Sequence, residues 1–233
     1  MSVVGSIRQQ LSPIHPEGYP FVGGFALATL VMLWLWSPLG WIAVIATFWC
    51  AYFFRDPARV TPAGAGIVVA PADGRICQVT RLMPPQELEL GERPLDRISI
   101  FMSVFDCHVN RSPVTGRIER IVYRAGKFIS ADLDKASEHN ERNSFVLVTD
   151  TGQRLAVVQI AGLIARRIVC FSRETETVAV GQRIGMIRFG SRVDVYLPEG
   201  TRVLAGEGQT AIAGETVLAD LTARGTQSAF RRA

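Results

Sequence analysis

From Gly18 to Phe54 the sequence carries no charged residue, and no other feature limits the fold of this chain so firmly. Such a run must be buried in protein or set in lipid, since exposed apolar surface costs about 25 cal/mol per Å² in water. Ser37-Pro38-Leu39-Gly40 divides it into Phe21–Trp36 and Trp41–Phe54. Each half falls short of the ~20 residues that a spanning helix needs. Proline and glycine in the middle favour a tight helical hairpin, shallowly inserted or barely spanning, over one long helix. All four tryptophans lie inside the run: Trp34, Trp36 and Trp41 crowd the turn, and Trp49 joins Tyr19 and Tyr52 at the open end. Aromatic rings of this kind favour membrane interfaces. Arg8 precedes the run and Arg55 and Arg59 follow it, which predicts both ends on the cytoplasmic face of a cell membrane. A hairpin buried in a globular core is an unusual home for so pure an apolar stretch. Pro13, Pro16 and Glu17 ahead of it, with no small-residue cleavage site, argue against a removed signal peptide. The expectation is an uncleaved anchor over residues 1–60 and a second domain over 61–233.

Beyond the anchor the pattern is β-like. Ile67–Ala70 and Ile76–Thr80 flank Ala72-Asp73-Gly74, a turn of the Asp-Gly type. Arg97–Phe105 and Arg117–Tyr123 are further strand candidates, and Phe145–Thr149 and Arg154–Ile160 flank the hairpin signal Asp150-Thr151-Gly152. Lys135–Asn143 is polar and reads as a loop or short helix. From Val178 onward, short β segments are separated by closely spaced glycines. The fold class expected is α+β, mostly β: a β-rich domain of short, glycine-punctuated strands behind a helical anchor.

Charge and cysteine usage narrow the function classes. The net charge of +4 comes from 25 Lys and Arg together, only two of them lysines, Lys127 and Lys135. Basic character suits an anionic membrane surface, whereas no basic run interleaved with stacking aromatics points to nucleic acid. Cys50, Cys77, Cys107 and Cys170 are scattered, which reads as reduced thiols rather than a metal site, and three histidines add no zinc pattern.

Within the β-rich part, Met186–Tyr196 reads as strand, break, strand, with Gly190 as the break and Val193, Val195 and Leu197 on one side. Most Gly-Ser pairs form ordinary turns. A serine held rigidly after such a glycine can instead turn its hydroxyl onto the glycine carbonyl. An N-to-O acyl shift and β-elimination would then leave a pyruvoyl ketone where Ser191 stood. Asp73 alone reads as a turn aspartate. His108, after a strand in Phe105-Asp106-Cys107-His108-Val109-Asn110-Arg111-Ser112-Pro113, is well placed for acid–base work or is a partly buried structural histidine. Asn140-Glu141-Arg142-Asn143 reads as a solvated loop. Arg166 and Arg167 interrupt an apolar stretch, and their guanidinium forks suit a phosphate.

Together these segments resemble the phosphatidylserine decarboxylases, specifically the short bacterial proenzymes. The resemblance covers Phe54 to about Leu221. It is carried by Phe54-Arg55-Asp56-Pro57, Pro71-Ala72-Asp73-Gly74, Phe101-Met102-Ser103 through Asp106-Cys107-His108-Val109-Asn110-Arg111, Asn140-Glu141-Arg142-Asn143, Gln159-Ile160-Ala161-Gly162 through Ala165-Arg166-Arg167-Ile168-Val169, and Phe189-Gly190-Ser191. It implies self-cleavage between Gly190 and Ser191 into two chains, 1–190 and 191–233, that stay associated. It also implies a covalent pyruvoyl cofactor made from Ser191 and a Schiff base between that ketone and the serine amine of the phospholipid. It further implies an Asp-His-Ser processing triad, matched by Asp73 and Ser191. Longer relatives carry two histidines three apart, whereas here His108 holds the first position and Arg111 the second. The processing base is then either His108 or Asp73 acting alone on a strained bond, and His108 also matches the histidine that assists decarboxylation and reprotonation. Arg166 and Arg167 are candidates for the lipid phosphate. A homodimer is left open, and no metal is implied. Only two lysines are present to hold pyridoxal phosphate, the usual electron sink for amino-acid decarboxylation, so a self-made ketone explains how a lysine-poor chain runs the reaction. A competing reading is a membrane-anchored, non-catalytic carrier or scaffold of biotinyl/lipoyl-like β fold. Such carriers need a lysine at a hairpin tip, and none follows Lys135.

Overall fold

The computed structural model describes residues 12–126, 140–162, 167–188, 190–225 and 230. The chain divides into two compact units, one up to Ala58 and one from Arg59 onward.

The first unit is a helical hairpin of α1 (Tyr19–Leu35) and α2 (Ser37–Phe53). A single extended residue, Trp36, joins them. Ser37-Pro38-Leu39-Gly40 therefore opens α2 rather than forming the turn expected of it, because a proline in the first helical turn forfeits no intrahelical hydrogen bond. The two helices are tied by a hydrogen bond between Thr29 Oγ1 and Thr47 Oγ1, 2.9 Å apart. At the open end His15 N–H donates to the Phe54 carbonyl at 2.8 Å, and Phe21 stacks on Phe54. Most of the remaining surface is apolar: Leu27, Leu30, Ile42, Ile45 and Phe48 are exposed, and Trp34 is 85% exposed. The segment Pro16–Leu35 is long and apolar enough to cross a membrane.

The second unit is built from fourteen described strands: β1 (Ile67–Val69), β2 (Gly74–Leu82), β3 (Leu95–Met102), β4 (Val109–Arg111), β5 (Gly116–Arg124), β6 (Arg142–Val148), β7 (Arg154–Ala161), β8 (Arg167–Cys170), β9 (Thr177–Val178), β10 (Arg183–Arg188), β11 (Ser191–Tyr196), β12 (Thr201–Val203), β13 (Thr210–Ala211) and β14 (Val217–Arg224). They form an eight-stranded sheet in the order β13-β2-β3-β11-β7-β6-β5-β9 and two three-stranded sheets, β1-β14-β12 and β4-β10-β8. With two helices ahead of a β-rich body, the fold is α+β and mostly β. The Asp150-Thr151-Gly152 signal does join a hairpin, β6 to β7. Ala72-Asp73-Gly74 does not. β1 pairs with β14 and β2 with β3 and β13, so this turn carries the chain from one sheet to another. Pro71 just before it has no N–H to give a ladder.

The large sheet is covered on both faces. Ile98 and Ile100 of β3 and Val193 and Val195 of β11 point into the main core, while Val146, Val158, Ile160 and Tyr196 pack with Leu88 on the other side. This explains why Asn140-Glu141-Arg142-Asn143, expected to be solvated, is buried throughout. β6 starts at Arg142 between β5 and β7, and its polar side chains find partners there: Arg142 pairs with Glu87, and Asn143 donates to Gln159. Polar groups are tolerated inside when so paired. Lys127 and residues 135–139 lie outside the described residues.

Candidate active site

Ser191 opens β11 at the middle of the large sheet, opposite Met102 of β3 and Ala161 of β7. Strand alternation puts its side chain on the core face with Val193 and Val195, and it is fully buried. Its Oγ lies 3.6 Å from Met102 Sδ. Gly190 links two strands of different sheets with φ of +63°, a conformation that costs an L-residue about 1–2 kcal/mol. Its carbonyl accepts from Gly162 N–H at 3.1 Å, and its own N–H donates to His108 Nε2 at 3.3 Å.

Each of these groups is held from behind. Gly162 follows Ala161, whose carbonyl accepts from Asn140 Nδ2 at 2.7 Å and whose N–H donates to the Glu141 carbonyl at 2.9 Å. His108 is buried in the connection between β3 and β4, where the Asp106 carboxylate accepts from Ser103 N–H at 2.7 Å. Its Nδ1 is 2.9 Å from the Asp106 carbonyl. A carbonyl can only accept and a backbone N–H can only donate, so Nδ1 carries the proton and Nε2 is the bare nitrogen. The site thus combines the buried Ser191 hydroxyl, a donor on the carbonyl oxygen of the preceding Gly190 and a bare imidazole nitrogen on the Gly190 N–H. An internal acyl shift requires groups of these kinds: a nucleophile, an oxyanion donor and a base. The residues present therefore fit a pyruvoyl group made from Ser191.

Asp73 is bound elsewhere at the same end of the sheet. Its Oδ2 meets Arg59 Nη2 at 2.6 Å and its Oδ1 accepts from Ala213 N–H at 2.8 Å. Arg75 and Arg192 pair with Phe101 from opposite sides, so β3 separates the strand after Asp73 from that of Ser191. The structure bonds Gly190 to His108, sets the Ser191 hydroxyl against Met102 Sδ, and holds Asp73 through Arg59 and Ala213. Arg111, at the second-histidine position, donates from Nη1 to the Gly181 carbonyl at 2.9 Å and from its backbone N–H to the Pro71 carbonyl at 2.8 Å. It braces that turn. Arg167 is exposed on β8, directly opposite Arg188 of β10. Arg166 lies outside the described residues. Among the described residues no cluster of His, Cys, Asp and Glu could hold a metal ion, and the four cysteines are free thiols.

Two further groups flank Ser191 that the sequence reading gave no role. On the core side stand Asn110 and Gln159, and Asn143 bonds to Gln159. On the opposite face Arg192 grips Asp194 with two parallel hydrogen bonds of 2.9 and 3.0 Å, with Arg97 3.7 Å from the same carboxylate. Burial opposes the Arg192 charge, yet Asp194 outweighs it and raises the guanidinium above its ordinary value. Burial next to these charges pushes the Tyr196 phenol up to about 12. A trace of the amide group was present in the sequence. Gln159 is the single polar side chain in Leu155-Ala156-Val157-Val158-Gln159-Ile160-Ala161, and a lone polar residue in a buried strand needs a partner.

The family model for phosphatidylserine decarboxylase matches residues 46–219. A phosphatidylserine decarboxylase proenzyme from Nitrobacter winogradskyi is 69% identical over 215 residues, covering 92% of this chain and 87% of that one. Another of the same name, from Beijerinckia indica subsp. indica, is 62% identical over 231 residues, covering 99% of each chain.

Proposed function

Because this chain belongs to the phosphatidylserine decarboxylase family, it is a decarboxylase that acts on phosphatidylserine, and we propose that its electron sink is a pyruvoyl group formed from its own Ser191. The observation that carries the proposal is the pair of hydrogen bonds on Gly190, one from Gly162 N–H to its carbonyl and one from its N–H to His108 Nε2. Ser191 Oγ attacks the Gly190 carbonyl carbon, Gly162 N–H stabilises the oxyanion, and the hydroxyl proton moves by way of His108 to the departing Ser191 nitrogen. When formed, the ketone would supply the electron sink for a decarboxylation that gives phosphatidylethanolamine.

The chain's own residues do the rest. His108, with its bare Nε2 beside residue 190, supplies and removes protons. The buried Arg192–Asp194 pair fixes the strand that follows the reactive residue. Asp73 keeps the neighbouring turn in place through Arg59 and Ala213, a positioning role in processing. Arg167, exposed on β8, meets the lipid phosphate, and Arg166 beside it in the sequence is assigned to the same task. The apolar hairpin holds the enzyme to the cytoplasmic face of the membrane, where a two-tailed substrate resides without costly extraction into water. Chains 1–190 and 191–233 stay together because β11 is hydrogen-bonded between β3 and β7.

A denaturing gel with intact-mass analysis tests this reading. Two fragments divided at residue 190, the smaller beginning with a blocked pyruvoyl residue, are expected, and Ser191→Ala should leave one uncut chain that releases no CO2. An active Ser191→Ala variant would refute it.

A further inference from the structure

Three buried carboxamides form a directed chain that ends beside Ser191. Asn143 Nδ2 donates to Gln159 Oε1 at 3.0 Å, Gln159 Nε2 donates to Asn110 Oδ1 at 2.7 Å, and Asn110 Nδ2 points at Met102 Sδ, 3.7 Å away. All three amides are buried, Asn110 and Gln159 completely. The order of donation gives the chain its direction. With Asn110 Oδ1 accepting from Gln159, the Asn110 NH2 faces the sulfur. A thioether is a weak acceptor, so an oxygen in its place would hold that N–H far better. The same sulfur contacts Ser191 Oγ at 3.6 Å. Gly185 keeps the chain in line: a Cβ there would stand 2.9 Å from Gln159 Nε2.

We propose that Asn110 is a catalytic residue of self-processing, its Nδ2–H binding the former Ser191 Oγ as that atom leaves in the β-elimination, with Gln159 and Asn143 as positioning residues. The proposal rests on the pyruvoyl reading above. After the acyl shift, Oγ bridges Ser191 Cβ and the Gly190 carbonyl carbon. The Cα proton of residue 191 passes to His108 Nε2, its electron pair forms Cα=Cβ, and the Cβ–Oγ bond breaks with its pair on oxygen. That oxygen becomes part of the Gly190 carboxylate. The enamine left on residue 191 tautomerises to an imine, and water hydrolyses it to the ketone with release of ammonia. Negative charge grows on the former Oγ only in the elimination. A donor aimed there therefore favours that transition state over the ester.

The test follows the full-length protein in detergent by intact mass, with and without hydroxylamine, for the native sequence, Asn110→Leu and Gln159→Met. Hydroxylamine cuts an ester at residue 190 and leaves a free Ser191 amine, whereas completed processing leaves a blocked chain. The sequence has no Asn-Gly pair that the reagent could also cleave. Asn110→Leu should accumulate the hydroxylamine-releasable ester and form the blocked chain about 100-fold more slowly, as for loss of one oxyanion donor. Gln159→Met keeps Asn110 but frees its amide to rotate, and should accumulate the same ester to a lesser degree. Because the ester forms only in a folded site, its appearance separates this role from a folding defect. Processing of Asn110→Leu at the native rate would overturn the proposal, as would arrest of both variants as uncut amide with no ester. If the native protein itself were a single chain with an ordinary serine at 191, the pyruvoyl reading would fall, and this inference with it.

Discussion

Gly185→Ala probes the packing on which the amide chain depends. The new Cβ would meet the Val169 carbonyl oxygen at 2.7 Å, Gln159 Nε2 at 2.9 Å and Gln159 Oε1 at 3.3 Å. The carbonyl belongs to the β8–β10 ladder, where Gly185 faces Cys170, so it cannot withdraw without breaking strand pairing. The Gln159 side chain must give instead. Overpacking of this kind costs about 1–3 kcal/mol. Turning Gln159 away also breaks its bonds to Asn110 and Asn143, and each buried group left unsatisfied adds about 1–3 kcal/mol. Partial repacking offsets some of this, so the expected loss is about 2–5 kcal/mol. The measurement is urea unfolding in mild detergent, followed by circular dichroism, in a Ser191→Ala background that keeps the chain whole. Tryptophan fluorescence would be blind to the event, because all four tryptophans lie in the hairpin. Combining Gly185→Ala with Gln159→Ala removes the two contacts with Gln159 and leaves the one with the Val169 carbonyl, so the two losses should still fall short of additivity by about 1 kcal/mol or more. A single-variant loss under about 0.5 kcal/mol, or simple additivity, would refute the reasoning.

Three further outcomes are expected. Tyr196, with its phenol pushed up to about 12 from an ordinary value near 10, keeps its proton in the folded chain over a range where the unfolded chain loses it. Its contribution is complete below about pH 10 and is lost as pH rises toward 12, about 3 kcal/mol in all, so Tyr196→Phe should flatten the alkaline limb of a urea-midpoint titration. Asp194→Ala removes the carboxylate paired with the buried Arg192 guanidinium and should cost about 3–5 kcal/mol in the same unfolding assay, while the paired replacement Arg192→Met with Asp194→Leu should recover most of that loss. Vesicles containing anionic lipid should shift tryptophan emission to the blue, since Trp34, Trp36 and Trp41 are exposed in the hairpin, and an unchanged spectrum would argue against insertion.

Sequence alone determined the helical hairpin, the β-rich body behind it and the Gly190-Ser191 break, because each is a local pattern: an uncharged run, strand alternation, a glycine where the chain must turn. It also marked His108 as a candidate, because its place after a strand suits an acid–base group as well as a structural histidine. What the tertiary structure decided is which of the marked groups meet. His108 lies 82 positions from Gly190 yet bonds to its N–H, and Gln159 reaches Asn110 across 49 positions. Asp73 and Arg111, equally prominent in the sequence, are engaged in bracing neighbouring turns. The polar quartet at 140–143 looked solvated for the same reason: polarity is local, but the partners that allow burial come from β2–β3, β5 and β7, and only pairing of distant strands brings them in. Local patterning sets which elements form, and the register between strands far apart in the chain sets which side chains can react.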